Sequence, residues 1–178
     1  MPTTKWVLDP THSEVQFKVK HLMITNTTGE FTKYDVSAET EGEDFTTAKV
    51  SFTADTASVT TSNEQRDGHL KSADFFDVEK YPTLSFTATK YENVDNDGSY
   101  ELYGDLTIKG VTKPVKLDVE FGGIIKDPWG NTRAGFTISG KINRKDFGLV
   151  WNALTETGGM VVSEDVRIHV TIELIKQA

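Results

Sequence analysis

Val166-Arg167-Ile168-His169-Val170-Thr171-Ile172-Glu173-Leu174 sets an apolar side chain against a polar one at every step. A period of two belongs to the β-strand, whose successive side chains point to opposite faces; an amphipathic helix repeats at 3.6. One face of this strand must be buried and the other meets water. The pattern recurs in Val15-Phe17-Val19 against Gln16-Lys18-Lys20, in Phe31 with Val36 and Ala38, and in Val50-Phe52-Ala54 against Ser51-Thr53-Asp55. It returns in Leu84-Phe86-Ala88, in Tyr100-Leu102 with Leu106-Ile108, in Val115-Leu117-Val119-Phe121, and in Ala134-Phe136-Ile138 with Ile142. The result is eight one-faced strands.

Composition agrees with this all-β reading. Thr occurs 24 times and Val 16 times against nine Ala and ten Leu, a weighting that suits a pleated surface. A hydrophobic share of 37% with 10% aromatics excludes a disordered chain. At 178 residues a single domain over residues 1–178 is expected, with a core that needs no covalent staple. Turn chemistry in Glu41-Gly42-Glu43-Asp44, Asp95-Asn96-Asp97-Gly98, Lys109-Gly110-Val111-Thr112 and Lys126-Asp127-Pro128-Trp129-Gly130-Asn131 predicts hairpins and an antiparallel meander. Gly104, Gly135 and Gly140 stand where a tightly curved sheet needs a bulge or bend. Such strands hide their apolar faces in a two-sheet sandwich or a closed barrel, and the alternation alone does not choose. An eight-stranded barrel is wide enough to be filled by side chains or to hold one ligand.

Two segments break the alternation. Residues 62–76 predict a short helix, opened by a capping box between Ser62 and Gln65 and weakened by Gly68. Residues 145–159 read as a long ordered loop carrying Phe147, Leu149, Trp151 and Leu154.

Charge and motifs narrow the function. With 27 acidic against 19 basic side chains, a net charge of −8 repels nucleic acid and anionic membranes. Absence of Cys removes thiolate metal sites, Cys nucleophiles and disulfides. No apolar run is long enough to span a bilayer, and Met1-Pro2-Thr3-Thr4-Lys5-Trp6 contains no signal-peptide core. A cytoplasmic location is therefore expected; a periplasmic or secreted one requires a trimmed mature form. No His pair has the spacing of a helical zinc site, and Asp95-Asn96-Asp97-Gly98 departs from a calcium loop at Ser99 and Tyr100. Neither G-x-S-x-G, a P-loop nor G-x-G-x-x-G occurs, so no cofactor or metal is expected. The many carboxylates read as a solvated exterior rather than a glycosidase pair.

The histidines differ in placement. His169 falls on the polar face of the last strand, and His12 sits in a turn with a local hydrogen-bonding role. His21 continues the series Val15-Phe17-Val19, which puts it inward at a strand end, either as a satisfied buried side chain or beside a ligand's polar end. His69, with Arg66 and Asp67, lies on the expected helix, where an Arg–Asp or Asp–His contact would fix the helix to the barrel. Phe75, Phe76, Tyr81, Phe147 and Trp151 cluster around the two breaks. They either plug the barrel ends or line a tunnel for a long apolar ligand, whose burial is worth ~0.8 kcal/mol per CH₂.

Five motifs in order resemble the YceI-like family of lipocalin-like, polyisoprenoid-binding barrels, nearly end to end. They are Trp6-Val7-Leu8-Asp9-Pro10-Thr11-His12-Ser13 with Phe17 and Val19-Lys20-His21-Leu22; Gly29-Glu30-Phe31; Arg66-Asp67-Gly68-His69-Leu70-Lys71-Ser72-Ala73-Asp74-Phe75-Phe76-Asp77 with Tyr81-Pro82; Gly104-Asp105-Leu106-Thr107-Ile108-Lys109-Gly110-Val111-Thr112-Lys113-Pro114-Val115; and Arg144-Lys145-Asp146-Phe147-Gly148. The resemblance implies an extended antiparallel eight-stranded lipocalin-like barrel with a helix near one end. It further implies a tunnel for an isoprenoid-type lipid such as a polyprenyl phosphate or quinone tail, and a homodimer, without established catalysis. The residues expected to line that tunnel are Phe17, Val19, His21, Phe31, Phe52, Leu70, Phe75, Phe76, Leu84, Phe86, Leu106, Phe136, Ile138 and Trp151. The alternative is an enzyme acting on a bound lipid or small molecule through His21 or the Arg66, Asp67 and His69 group.

Overall fold

Alternation becomes a closed wall in the computed structural model, which describes residues 3–21, 24–73, 75–94, 97–149 and 163–177. The strands are β1 (Thr3–Leu8), β2 (Glu14–His21), β3 (Thr25–Phe31), β4 (Tyr34–Glu41), β5 (Asp44–Asp55), β6 (Val59–Thr60), β7 (Thr83–Asn93), β8 (Ser99–Ile108), β9 (Val111–Lys126), β10 (Thr132–Asn143) and β11 (Asp165–Lys176), with one helix, α1 (Glu64–Lys71). Eleven strands fill eight wall positions, because β1 with β2, β3 with β4, and β5 with β6 are each one position interrupted by a short irregularity. Every neighbouring pair is antiparallel, as the hairpin turns predict. The barrel closes on β11, whose Arg167–Thr171 pairs with β2 and whose Leu174–Lys176 pairs with β1.

The strand missed by alternation is β1. Its Trp6 is 1% exposed and donates from Nε1 to Thr40 Oγ1 at 2.9 Å, so it anchors one end of the core with Phe45, Ile172 and Leu174. A second cluster, including Phe31, Phe76, Phe86 and Ile108, fills the end near α1.

Asp9-Pro10-Thr11-His12-Ser13 is the irregularity between β1 and β2, and it replaces the interrupted ladder. Asp9 N donates to Glu173 O at 2.9 Å, and Glu173 N donates to Ser13 Oγ at 3.0 Å. The Asp9 carboxylate accepts from Thr11 N at 3.0 Å and Thr11 Oγ1 at 2.7 Å, bonds His12 Nδ1 at 2.8 Å, and receives Arg133 Nη1 at 2.5 Å. Hydrogen bonds from Thr11 and then His12 hold its carboxyl well below the usual carboxylate range; burial opposes this and Arg133 reinforces it. A depressed native value stabilises the fold above the unfolded carboxylate pKa of about 4, and that stability is lost as pH falls through the native value. We expect the urea midpoint of Asp9→Asn protein to drop less between about pH 5 and about pH 2 than that of the wild type. Parallel drops would assign the acid sensitivity to other carboxylates.

The helix is shorter than expected and is capped differently. Ser62 adopts φ 62°, and Asn63 is the N-cap, accepting from Arg66 N at 3.0 Å, so the Ser62–Gln65 box is not used. Helix α1 ends at Lys71, which leaves Phe75 and Phe76 in the turns that follow. Of the three glycines expected at bends, Gly135 flanks a register shift between β9 and β10. Gly104 also stands at a register shift, opposite Ala88 just before Lys90 pairs with Tyr103, and a Cβ there would run into the Phe86 ring; Gly140 serves close packing instead, where a Cβ would run into Leu117.

Candidate functional site

The inward faces of the eight wall positions do not fill the space they enclose. A cavity of about 1090 Å³ runs from Leu149 and Ile108 near α1 to Phe45 and Leu174 at the opposite end. Twelve of the residues expected from the sequence line it: Phe17, Val19, Phe31, Phe52, Leu70, Phe75, Phe76, Leu84, Phe86, Leu106, Phe136 and Ile138. The His21 side chain and Trp151 lie outside the described residues. Phe147, 1% exposed, is packed in the core near α1 and is absent from the cavity wall, and Tyr81 packs over Gly110. The aromatics around the breaks thus divide, Phe75 and Phe76 facing the cavity and Phe147 plugging the end.

Local sequence explains several of these placements. Phe17 lies flat across Gly29, where any Cβ would meet its ring, and it packs on Phe31 at 5.7 Å between centroids. Phe31 in turn meets Phe76 edge to face at 5.7 Å. Helix α1 is held over this end by Leu70, which is partly buried against the core, and by polar contacts. Asp67 accepts from Thr61 N at 2.7 Å, Thr61 Oγ1 at 2.6 Å and Thr60 Oγ1 at 3.2 Å. Burial pushes the Asp67 carboxyl up, but these bonds outweigh it and hold it below its ordinary value. Arg66 donates from Nε to Thr61 Oγ1 at 2.7 Å and from Nη2 to Thr61 O at 2.9 Å. Arg66 and Asp67 therefore meet on Thr61, which corrects the expected contact within the Arg66, Asp67 and His69 group. His69 sets its ring edge-on to Phe75 at 5.1 Å.

The cavity has two margins. Near α1 its rim is polar, with Lys20, Asn63, Gln65 and Arg66. At the other end the wall itself parts. Strands β5 and β7 pair from Asp55↔Thr83 to Ser51↔Thr87 and no further. Beyond that point β5 stays bonded to β4 and β7 to β8, leaving a seam between residues 44–50 and 88–93. Cavity-lining residues stand on both its edges, Ala48, Lys49 and Val50 on one and Ala88, Lys90 and Tyr91 on the other.

Phe45 and Tyr91 line this end and were not legible as inward residues. Strict alternation from Val50-Phe52-Ala54 points Phe45 outward, and from Leu84-Phe86-Ala88 it points Lys90 inward and Tyr91 out. Register shifts between Glu39 and Glu41 on β4 opposite β5, and between Ala88 and Lys90 on β7, reverse both parities. Val115, Leu117, Ile168 and Val170 also line the cavity and were visible in the alternation.

Asp9, His12 and Glu173 bring together donors of a kind that hold metals. Arg133 already lies between the two carboxylates, donating to Asp9 at 2.5 Å and to Glu173 at 3.1 Å, and its Nε reaches Asp127 at 2.6 Å. Among the described residues no helix is long and apolar enough to cross a membrane.

The YceI-like domain matches residues 6–174. A UPF0312 protein of Staphylococcus aureus is 38% identical over 172 residues, covering 96% of each chain. The solved YceI protein of Campylobacter jejuni is 37% identical, with a TM-score of 0.77 over 90% of this chain and 91% of that one. BcnA of Burkholderia cenocepacia shares the fold at 22% identity, with a TM-score of 0.80 over 93% and 98% of the two chains. A polyisoprenoid binding domain of Saccharophagus degradans shares it at 17% identity, with a TM-score of 0.68 over 97% and 98%.

Proposed function

Because the chain belongs to the YceI-like family, we propose that it binds a long isoprenoid-type lipid, such as a polyprenyl phosphate or quinone, inside the barrel and acts as a carrier, storage or sequestration protein. The observation that carries this reading is the unfilled apolar interior of about 1090 Å³. At ~30 Å³ per methylene-sized group, close to a water's share of the liquid, it has room for roughly 36 such groups, or about seven isoprene units. Each buried CH₂ contributes ~0.8 kcal/mol, so a long tail binds without a strong polar partner. The polyisoprenoid binding described for the Saccharophagus degradans domain supports the same ligand class. The twelve expected residues on the cavity wall are the proposed contacts, Phe52 and Phe86 among them as cross-strand partners on β5 and β7.

Native mass spectrometry of gently purified protein should find an extractable long-chain apolar molecule. Added isoprenoid alcohols should bind more tightly with each further unit until the cavity is filled. Protein that is ligand-free and binds none of them would overturn the reading. Family membership also supports a homodimer, and sedimentation at the mass of one chain across the micromolar range would remove that part.

A further inference from the structure

We infer that the Tyr91 hydroxyl anchors an oxygen-bearing end group of the bound lipid, at the place where the cavity meets the seam between β5 and β7. The inference rests on the lipid-binding reading of the cavity and names the end of the ligand that the seam receives. Tyr91 faces the interior only because the β7 register shifts between Ala88 and Lys90; after the shift it stands opposite Leu102, itself an inward core residue. Bulges commonly re-aim one side chain, and here the re-aimed residue is a tyrosine on the cavity wall. Its ring is stacked on Tyr100 at 4.6 Å and 11°, which fixes its direction.

Among the described residues the Tyr91 hydroxyl is the one buried side-chain polar atom without a hydrogen-bond partner. Other buried polar groups are satisfied, as Trp6 Nε1 is by Thr40. If the ring served packing alone, phenylalanine would fill the same space without leaving a polar atom dry. Burial, and then Tyr100, push the Tyr91 phenol above its ordinary value, so at neutral pH it is a donor. The matching ligand atom is an acceptor: an alcohol, carbonyl or phosphate oxygen. Lys49 and Lys90 on the facing edges mark where such a group leaves the apolar interior for water.

The test compares geranylgeraniol with the hydrocarbon that lacks only its hydroxyl, on wild-type and Tyr91→Phe protein. The wild type should prefer the alcohol by about tenfold. Tyr91→Phe should abolish the preference, so that the variant binds the two probes equally, and the free variant should melt at a higher temperature because it no longer buries an unpaired hydroxyl. Equal binding of the two probes to the wild type, a preference that survives Tyr91→Phe, or a lower melting temperature of the free variant would each overturn the anchor and leave the cavity reading standing. Binding of neither probe would overturn the lipid-binding reading and the anchor with it.

Discussion

The double variant Leu84→Trp/Leu106→Trp is expected to bind a cavity-filling polyprenol of about seven isoprene units roughly a hundredfold more weakly than the wild type while keeping its fold. Both leucines are buried, lie on neighbouring strands and line the cavity. Their side chains point into unfilled space, so an indole at each position occupies volume that hydrocarbon would otherwise take. Two indoles in place of two isobutyl groups exclude about four methylenes, or ~3 kcal/mol of burial at ~0.8 each, which is about a hundredfold in Kd. Overpacking a filled core instead distorts it and costs stability, about 1–3 kcal/mol for added methylenes. Thermal unfolding of the free variant therefore separates the two cases. Wild-type affinity in a variant that unfolds like the wild type would place the ligand outside the barrel.

Arg144→Met is expected to lower the melting temperature by about 10 °C, and because Arg144 also lines the cavity the substitution takes a cation from the wall near α1. Arg144 is 2% exposed, and its stem and guanidinium are enclosed at the end of the barrel near α1. From there Nε donates to Ser163 O at 2.8 Å and Nη1 to Leu149 O at 2.6 Å, while the backbone N reaches Glu164 O at 2.9 Å. Burial pulls the guanidinium below its ordinary value, yet it remains charged at neutral pH. Methionine keeps much of the stem but leaves two buried carbonyls without their charged donor, a loss of about 3–5 kcal/mol. Arg144→Lys should recover less than half, since a single ammonium lacks the planar fork that reaches two acceptors. A melting temperature within about 2 °C of the wild type in Arg144→Met would show that water or neighbouring groups satisfy those carbonyls.

This arginine also shows what a motif encodes. Arg144-Lys145-Asp146-Phe147-Gly148 forms a turn of 3₁₀-helix in which Phe147 is buried, Gly148 takes the left-handed conformation at φ 77°, and Arg144 ties the turn to the start of β11. The Asp9–Ser13 motif likewise bridges a break in the wall. Both are structural devices of this barrel; the Asp9–Ser13 turn lies off the cavity wall, whereas Arg144 also lines it.

Much of the wall was legible because burial of one strand face imposes a local pattern. Leu84, Phe86 and Ala88 alternate with polar side chains, and counting by two identifies the inner face directly. The same counting fails at Tyr91 and Phe45, because an odd number of extra residues in one strand, one on β7 and three on β5, leaves no mark on composition yet reverses every side chain beyond it. Trp6 failed for another reason. In β1 its neighbours Lys5 and Val7 do not alternate cleanly around it, and its burial depends on β4 and β11 closing over it.

By itself, the sequence determined an all-β chain with eight inward faces, little helix and no classical catalytic signature, since those follow from periodicity, composition and local motif. Only the tertiary structure decided that the faces enclose unfilled space, that the wall parts between β5 and β7, and that a tyrosine stands at the parting with its hydroxyl unpaired. The physical reason is that a cavity, a seam and an unmatched hydrogen bond are relations between residues distant in the chain, set by closure and register, whereas alternation is a relation between neighbours.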